Sequence, residues 1–543
     1  VIKKFLLLAL FTAALFKIEA GDQIAKHVIV IGIDGMSPDG IMNASTPVMD
    51  EMMKNGAYTL KARAVLPTSS STNWASMMMG AGPEQHGITS NGWEPDDFIL
   101  PPVVTGSGSI FPTIFSVIRE QKPDAETAAI YHWTGFGRLF EKDAPSYDVT
   151  ADTEYETTEL VADYVKSKKP FFLFIQLDHV DHAGHEYGHG TEEYYKSVER
   201  TDSLIGRIVQ STKEAGIFEE TTFLVTSDHG GIGFGHGGET LEEIEIPFIL
   251  YGKGIKKAHP VKHTVYTYDN AATCAFALNI ERPYAWIGRP LKSAFEGYES
   301  PKVLNEKAFL NKPIIYPKKK FYDPAGGLFI DKNATVKIES TDENTEIRYT
   351  LDGTRPTRES KLYEGKFKLN ESAVVSAKAF RGKDEESLAS TAFYRLIKSD
   401  GDNGINYKYY EGEGWSVLPV FESLTPLRSG TVYEFRMNVI DHRESYYAIC
   451  YESYLRIDKA GEYKFYTSSD DGSKLYIDGK EVVDNDGDHG VKERSGSIEL
   501  TEGKHKIKVL YFNGGGGAWL DVFYKGPGIP KQIIPANKLF LEE

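Results

Sequence analysis

The sequence predicts an α/β domain on a mainly parallel sheet flanked by helices, followed by two all-β sandwich domains. Three observations carry this expectation. Between residues 27 and 300, apolar runs of strand length alternate with amphipathic helical stretches. Those runs are apolar throughout rather than at alternate positions, as strands covered on both faces require. From about residue 301 the texture changes to short alternating runs bounded by Gly, Asp and Asn, the pattern of antiparallel sandwiches. A chain of 543 residues also exceeds what one hydrophobic core accommodates.

Taken in order, residues 1–20 read as a secretory signal peptide. Lys3 and Lys4 precede an apolar run from Phe5 to Phe16, and small residues follow at Ala20 and Gly21. The expected protein is therefore exported, periplasmic or extracellular. No later run approaches the roughly 20 apolar residues of a spanning helix, so no stable membrane insertion is expected after cleavage. A domain over 24–300 follows. Its strands are predicted at 28–33, 128–131, 171–177, 223–226 and 248–251, and the last of these too reads as a strand of a parallel sheet. Helices are predicted over 46–55, ending at Gly56, and 194–215, ending at Gly216. Met49, Met52 and Met53 fall at helical spacing and read as core. Residues 301–324, with a Pro- and Lys-rich stretch over 311–320, read as a linker; sandwiches over 325–397 and 405–543 complete the chain.

Charge and cysteine content narrow the function. With 78 Asp plus Glu against 61 Lys plus Arg, the formal charge is −17, a field that repels nucleic acid duplexes and anionic lipid. The two cysteines, Cys274 and Cys450, lie far apart and are expected to be buried free thiols.

Four separated clusters of polar residues are each read as standing at the C-terminal end of a predicted strand, where open parallel sheets place their active sites. Asp34 follows the strand ending Ile31-Gly-Ile33. Pro67-Thr-Ser-Ser-Ser-Thr-Asn73 is a hydroxyl-rich turn entering an apolar helix. One of its hydroxyls is expected to be an N-cap, and the free N–H groups there favour a phosphate. Leu177-Asp-His-Val-Asp-His-Ala-Gly-His185 crowds acids with imidazoles, and the glycine after Ala183 predicts a loop. Thr226-Ser-Asp-His-Gly-Gly-Ile-Gly-Phe-Gly-His236 leads into the strand at 248–251. Singly, Asp34 reads as a turn residue, and Asn91 in His86-Gly-Ile-Thr-Ser-Asn91 as a loop-satisfying amide. His86 reads as structural.

Together these segments resemble the type I nucleotide pyrophosphatase/phosphodiesterase branch of the alkaline phosphatase superfamily. The resemblance rests on the helix-start segment with Asn73, on His86-Gly-Ile88, on Asp181-His-Ala-Gly-His-Glu-Tyr-Gly188 and on Ser227-Asp-His-Gly230. It implies an alkaline-phosphatase-like fold and two divalent metal ions, with Zn²⁺ best suited to mixed carboxylate and imidazole ligands. One ion would take Asp181, His185 and His236. The other would take Asp34, Asp228 and His229, bridged by Ser70. Ser70 would be the nucleophile, with Ser69 and Ser71 as neighbouring hydroxyls, and Asn91 would bind a nonbridging phosphate oxygen. Asp178, His179 and His182 fall to supporting or surface positions. The implied reaction is hydrolysis of a phosphate ester through a covalent phospho-serine. Diesters are preferred on charge grounds, because Ala64 to Ile118 contains no Lys or Arg, with Arg138 the cation that could still reach in.

The same superfamily holds phosphomonoesterases, phosphoethanolamine transferases and sulfatases. The sulfatase Cys/Ser-x-Pro-x-Arg motif is not met, since Ser71, Thr72, Asn73 and Trp74 follow Ser70. Residues 325–397, through Glu346-Ile-Arg-Tyr-Thr-Leu-Asp-Gly353 and Leu362-Tyr-Glu-Gly365, resemble the chitobiase C-terminal sandwich. Residues 405–543, through Gly461-Glu-Tyr-Lys-Phe-Tyr-Thr-Ser-Ser-Asp-Asp-Gly472, resemble the protective-antigen-type sugar-binding sandwich. The latter resemblance offers Asp470 and Asp471 to Ca²⁺, against the alternative of a plain turn. Both modules point to a glycan partner, and a surface glycan-binding protein with a vestigial catalytic domain is the competing reading.

Overall fold

The computed structural model describes residues 23–97, 99–301, 310–318, 324–398 and 401–541. The expected signal peptide and most of the expected linker lie outside them. The first domain is built on an eight-stranded sheet of order β4-β3-β5-β1-β6-β7-β2-β8. In chain order these are β1 (His27–Ile33), β2 (Ala57–Arg63), β3 (Thr127–Tyr131), β4 (Tyr147–Thr150), β5 (Phe172–Leu177), β6 (Thr221–Ser227), β7 (Glu245–Gly252) and β8 (His259–Pro260). Neighbours from β4 through β6 pair in parallel.

β7 departs from expectation, running antiparallel to both β6 and β2. A parallel return needs a crossover long enough to carry the chain back across the sheet. The segment between β6 and β7 holds only the short helix Leu241–Ile244, so β7 starts at the end where β6 stops.

The continuous apolar run of β1 is explained by two cores. Val28 and Val30 pack with Trp74 and Phe174 on one face, while Ile29, Ile31 and Ile33 pack with Tyr194, Ile205 and Ile208 on the other. Those last three come from the helix Glu192–Glu214, one turn of which is capped by the Thr191 hydroxyl accepting from Tyr194 N. Trp74 lies so close over β1 that a Cβ on Gly32 would stand 2.4 Å from its ring. Cys274 and Cys450 are free and buried.

Two further regions are all-β. In the first, a six-stranded sheet faces a three-stranded one, and the smaller sheet includes Ile314–Tyr316, antiparallel to Ala334–Glu339. Part of the expected linker is thus a strand, because Ile315 is apolar and is buried in that sandwich. In the second, a seven-stranded sheet faces a four-stranded one around Tyr409, Tyr451, Phe465 and Tyr511. Its hairpin from Ser473–Ile477 to Lys480–Asn485 turns on Asp478 and Gly479, both at positive φ (49° and 79°). A buried Arg395–Glu434 ion pair joins the two β regions. Among the described residues, no helix is long and apolar enough to cross a membrane.

Candidate functional site

The parallel order of β5, β1 and β6 brings the segments after all three strands to one edge of the sheet. Asp34 follows β1 directly, and Asp228 and His229 follow β6. Their ligand-type atoms lie within 4.8 Å of one another, and a second such set comprises Asp181, His185 and His236. Gly35, at φ 67°, turns the chain away from Asp34; a Cβ there would meet Asp181 at 2.6 Å. That close approach joins the two sets.

The segment after β5 differs from expectation. Residues His179–Tyr187 form a helix, with Gly184 inside it. The glycine marks a close contact rather than a break, since a Cβ on Gly184 would lie 2.4 Å from the His189 imidazole. On this helix Asp181 and His185 stand one turn apart on one face, with His185 Nε2 3.1 Å from Asp181 Oδ2.

The three histidines share one arrangement. His185 Nδ1 lies 2.7 Å from the Phe234 carbonyl, His229 Nδ1 2.8 Å from that of Gly230, and His236 Nδ1 2.8 Å from that of Thr68. A carbonyl oxygen only accepts, so each Nδ1 carries a ring hydrogen and each Nε2 is the nitrogen turned to the carboxylates; in the metal-free fold it is bare on His229, whereas His185 Nε2 also carries a proton and donates to Asp181 Oδ2. His229 Nε2 faces Asp34 Oδ1 at 3.4 Å, Asp228 Oδ2 at 3.2 Å and Ser70 Oγ at 3.3 Å. His236 Nε2 faces Asp181 Oδ2 at 3.8 Å. Asp34 Oδ1, Asp181 Oδ1 and Asp228 Oδ2 are buried without hydrogen-bond partners. The bare His229 Nε2 and the unpartnered oxygens of Asp34 and Asp228 repel one another unless a cation or a proton stands between them. The donor set fits two divalent ions, with carboxylate and imidazole in each group.

The electrostatics express the same need. Burial, then Asp228, Asp181 and Asp178, push the Asp34 carboxyl well above the usual carboxylate range. Burial and Asp181 do likewise to Asp228. Burial also raises Asp181, but the His185 hydrogen bond and the His236 and His229 rings outweigh it and hold that carboxyl low. The Asp181 partner lifts His185 to about 9, while burial drives His229 well below its ordinary value.

The helix Ser70–Met79 presents the hydroxyl turn. Its N-cap residue is Ser69, yet no side-chain cap bond forms; Ser69 Oγ pairs with Thr72 Oγ1 at 2.9 Å instead. Ser70 is buried, and its hydroxyl is the one facing His229. Asn73 Oδ1 accepts from Val65 N at 2.7 Å and its amide donates to three carbonyls, fixing the turn. Asn91 is exposed; its Oδ1 accepts from Ser71 N at 2.8 Å, which leaves its amide N–H groups as donors. His86 is buried away from this cluster, bonded to Ser76 Oγ at 2.9 Å, and burial lowers it to about 3.

Several contributors escape sequence reasoning. Trp74 Nε1 donates to Asp34 Oδ2 at 3.0 Å, and Gln176 Nε2 to the same oxygen at 3.1 Å. His189 Nε2 lies 3.7 Å from Asp181 Oδ1. Arg138, by contrast, is the cation that the sequence left able to reach in; it donates to the Asn91 carbonyl and, at 3.4 Å, to Ser71 Oγ, and pairs with Glu94 at 2.7 Å. Trp74 and Gln176 look like ordinary core residues in the sequence; only their hydrogen bonds reveal them.

Comparison with known proteins bears on this arrangement. Residues 28–234 match the model of the type I phosphodiesterase / nucleotide pyrophosphatase family. That phosphodiesterase-type region contains every residue of the two clusters except His236, together with Ser70 and Asn91. Residues 324–391 match the chitobiase/beta-hexosaminidase C-terminal domain and residues 438–538 the PA14 domain. Relatives include bis(5'-adenosyl)-triphosphatase ENPP4 of Homo sapiens, 23% identical over 240 residues, 42% of this chain and 52% of that protein. Venom phosphodiesterase 1 of Crotalus adamanteus is 24% identical over 214 residues, 37% of this chain and 25% of that protein. The chain thus spans about half the length of the ENPP4 relatives. Among solved structures, human ectonucleotide pyrophosphatase / phosphodiesterase 5 aligns with TM-score 0.44 at 15% identity, covering 50% of this chain and 100% of that one. A 2-O GAG sulfatase aligns with TM-score 0.43 at 15% identity, covering 66% and 85%.

Proposed function

We propose that the chain is an exported, two-metal phosphodiesterase that works through a covalent phospho-serine on Ser70. The observation that carries this reading is the shared anchoring of His185, His229 and His236 through Nδ1 to backbone carbonyls, which turns their Nε2 atoms to converge with Asp34, Asp181 and Asp228 beside a buried serine hydroxyl. When bound, the two ions, most simply Zn²⁺, supply the positive charge that makes the serine a competent nucleophile and offsets charge on the attacking and leaving oxygens. Asp181, His185 and His236 would hold one, and Asp34, Asp228 and His229 the other.

The chain's own groups do the rest. Ser70 Oγ attacks phosphorus in line as the bond to the leaving oxygen breaks, and the Asn91 amide donates to a nonbridging oxygen. The free N–H groups at the start of the Ser70–Met79 helix favour the same anion. Water then cleaves the phospho-serine, restoring the hydroxyl. Diesters are the preferred class, because the guanidinium nearest Asn91, Arg138, is already paired with Glu94.

The accessory modules bear on the leaving group. A Cβ on Gly517 would lie 3.6 Å from the Phe234 ring and 3.1 Å from the Asp470 carboxylate, and one on Gly233 would lie 3.7 Å from Trp519. The PA14-type sandwich therefore packs on the same loop that carries His236 and whose Phe234 carbonyl orients His185. This favours a substrate with a glycan portion, held at the rim by that sandwich, with Asp470 and Asp471 binding Ca²⁺. The experiment is turnover of nitrophenyl esters by the zinc-loaded chain, with Ser70→Ala alongside. A diester preference in kcat/KM, lost by roughly three orders of magnitude or more in Ser70→Ala with zinc retained, is the expected outcome. A monoester preference, or a fully active Ser70→Ala, overturns the reading; zinc-free protein without turnover supports the vestigial, glycan-binding alternative.

A further inference from the structure

A second constellation of imidazole and carboxylate stands apart from the two-ion centre. His132 follows β3, Glu154 opens the helix Glu154–Lys168, and His179 opens the helix His179–Tyr187. One ligand-type atom from each lies within 4.8 Å of the other two. The three line a cavity of about 380 Å³.

The tautomers are again set by neighbours. His179 Nε2 lies 2.8 Å from Thr201 Oγ1, whose own hydroxyl donates to the Ser197 carbonyl at 3.0 Å. Thr201 therefore accepts from Nε2–H, and Nδ1 is the lone-pair nitrogen. His179 is 6% exposed, and this Nδ1 is buried with no hydrogen-bond partner. His132 repeats the pattern, with Nε2 3.1 Å from the Asp152 carbonyl and a buried Nδ1 that has no partner. Two bare imidazole nitrogens thus share a cavity with a buried carboxylate, and native interiors rarely leave such atoms unsatisfied.

We propose that His132 Nδ1, His179 Nδ1 and the Glu154 carboxylate form a third metal site, taking a divalent ion of the zinc class. Two imidazoles and one carboxylate favour zinc or its neighbours over calcium or magnesium. The cavity carries the carboxylates of Asp152, Glu154, Asp178, Glu186 and Glu193 against the single guanidinium of Arg200, a balance suited to a cation. Arg200 Nη1 occupies Glu154 Oε1 at 2.7 Å, which orients the carboxylate and leaves its second oxygen for the ion. Donor atoms around a tetrahedral zinc stand about 3.3 Å apart, so closure asks for side-chain shifts of about an ångström or a little more. The fourth position opens on the cavity. His179 precedes Asp181 by two residues on one helix, so the ion would fasten the start of that helix to the Glu154–Lys168 helix and to the loop after β3.

The test is a zinc count that does not depend on turnover. The full chain is stripped with chelator, reloaded with Zn²⁺ in excess Ca²⁺ so that calcium-type sites are filled, freed of unbound metal, and assayed by elemental mass spectrometry. The expected result is three zinc ions per chain, falling to two in His179→Gln and in His132→Gln. The second variant alters a less buried position and keeps the test valid if the first misfolds. Asp228→Asn is expected to lose one ion while keeping this one. A wild-type count of two that neither histidine variant lowers overturns the third site and leaves the two-ion centre standing. A count of three unchanged by both variants overturns it as well. Zinc loss in the histidine variants with none in Asp228→Asn supports the third site and refutes the two-ion assignment instead.

Discussion

Replacing Trp74 by Phe isolates a hydrogen bond that orients the buried Asp34 carboxylate. Asp34 Oδ2 accepts from Trp74 Nε1 at 3.0 Å and Gln176 Nε2 at 3.1 Å, leaving Oδ1 unpartnered on the side of His229. A hydrogen bond to a charged group contributes about 1.5–3 kcal/mol. At about 1.4 kcal/mol per decade, losing it weakens zinc binding by about 10–100-fold, the range found for outer partners of metal ligands. The deficit grows as pH falls, because the Trp74 bond holds the Asp34 carboxyl down against burial and its acidic neighbours. Trp74→Phe also thins a core in which the indole packs edge-on against Phe136 and Phe174, at 5.7 and 6.1 Å. Trp286→Phe is the control. Its Nε1 donates to the Pro112 carbonyl at 2.9 Å and it is equally part of that core. Both variants should lose about 1–3 kcal/mol of stability, but only Trp74→Phe should lose zinc affinity in competition with a chelator. Equal affinity in the two variants would refute the reasoning.

Three further outcomes follow from the same geometry. Asp34 and Asp228 have raised pKa values in the metal-free fold, so the stability they contribute is present below the ordinary carboxylate range and lost as pH rises through those raised values. His185, raised to about 9, contributes fully below its ordinary value and loses that contribution as pH rises through about 9. The rise in Tm on adding zinc should therefore grow with pH; a rise independent of pH would contradict it. Asp470 is pushed up to about 7 by burial and by Asp471, so Ca²⁺ binding to the PA14-type sandwich should tighten as pH rises through about 7, with proton release measurable by titration calorimetry in buffers of different ionisation heat. Glu94→Gln frees Arg138 beside Asn91 and should raise the monoester-to-diester ratio of kcat/KM by up to about fivefold, the worth of an exposed ion pair; an unchanged ratio would place Arg138 outside the phosphate's reach.

What the sequence alone determined is the layered α/β region, the two β regions and the segments on which the polar clusters lie. Continuous apolar runs of strand length that alternate with helical stretches read as strands covered on both faces, and Asp34 or Asp228 directly after such a run then falls at a strand end. The structure alone decided three other things. It reversed β7, because strand direction depends on whether the connection crosses the sheet, which the apolar pattern of 248–251 does not encode. It made a helix of His179–Tyr187, because the glycine signal at 184 is ambiguous between a chain break and a close approach, and only the His189 ring packed against it resolves which. And it supplied Trp74 and Gln176 to the site, whose partners lie 40 and 142 residues away. A hydrogen bond between such distant positions leaves no local periodicity to read, so it becomes visible only when the chain is folded.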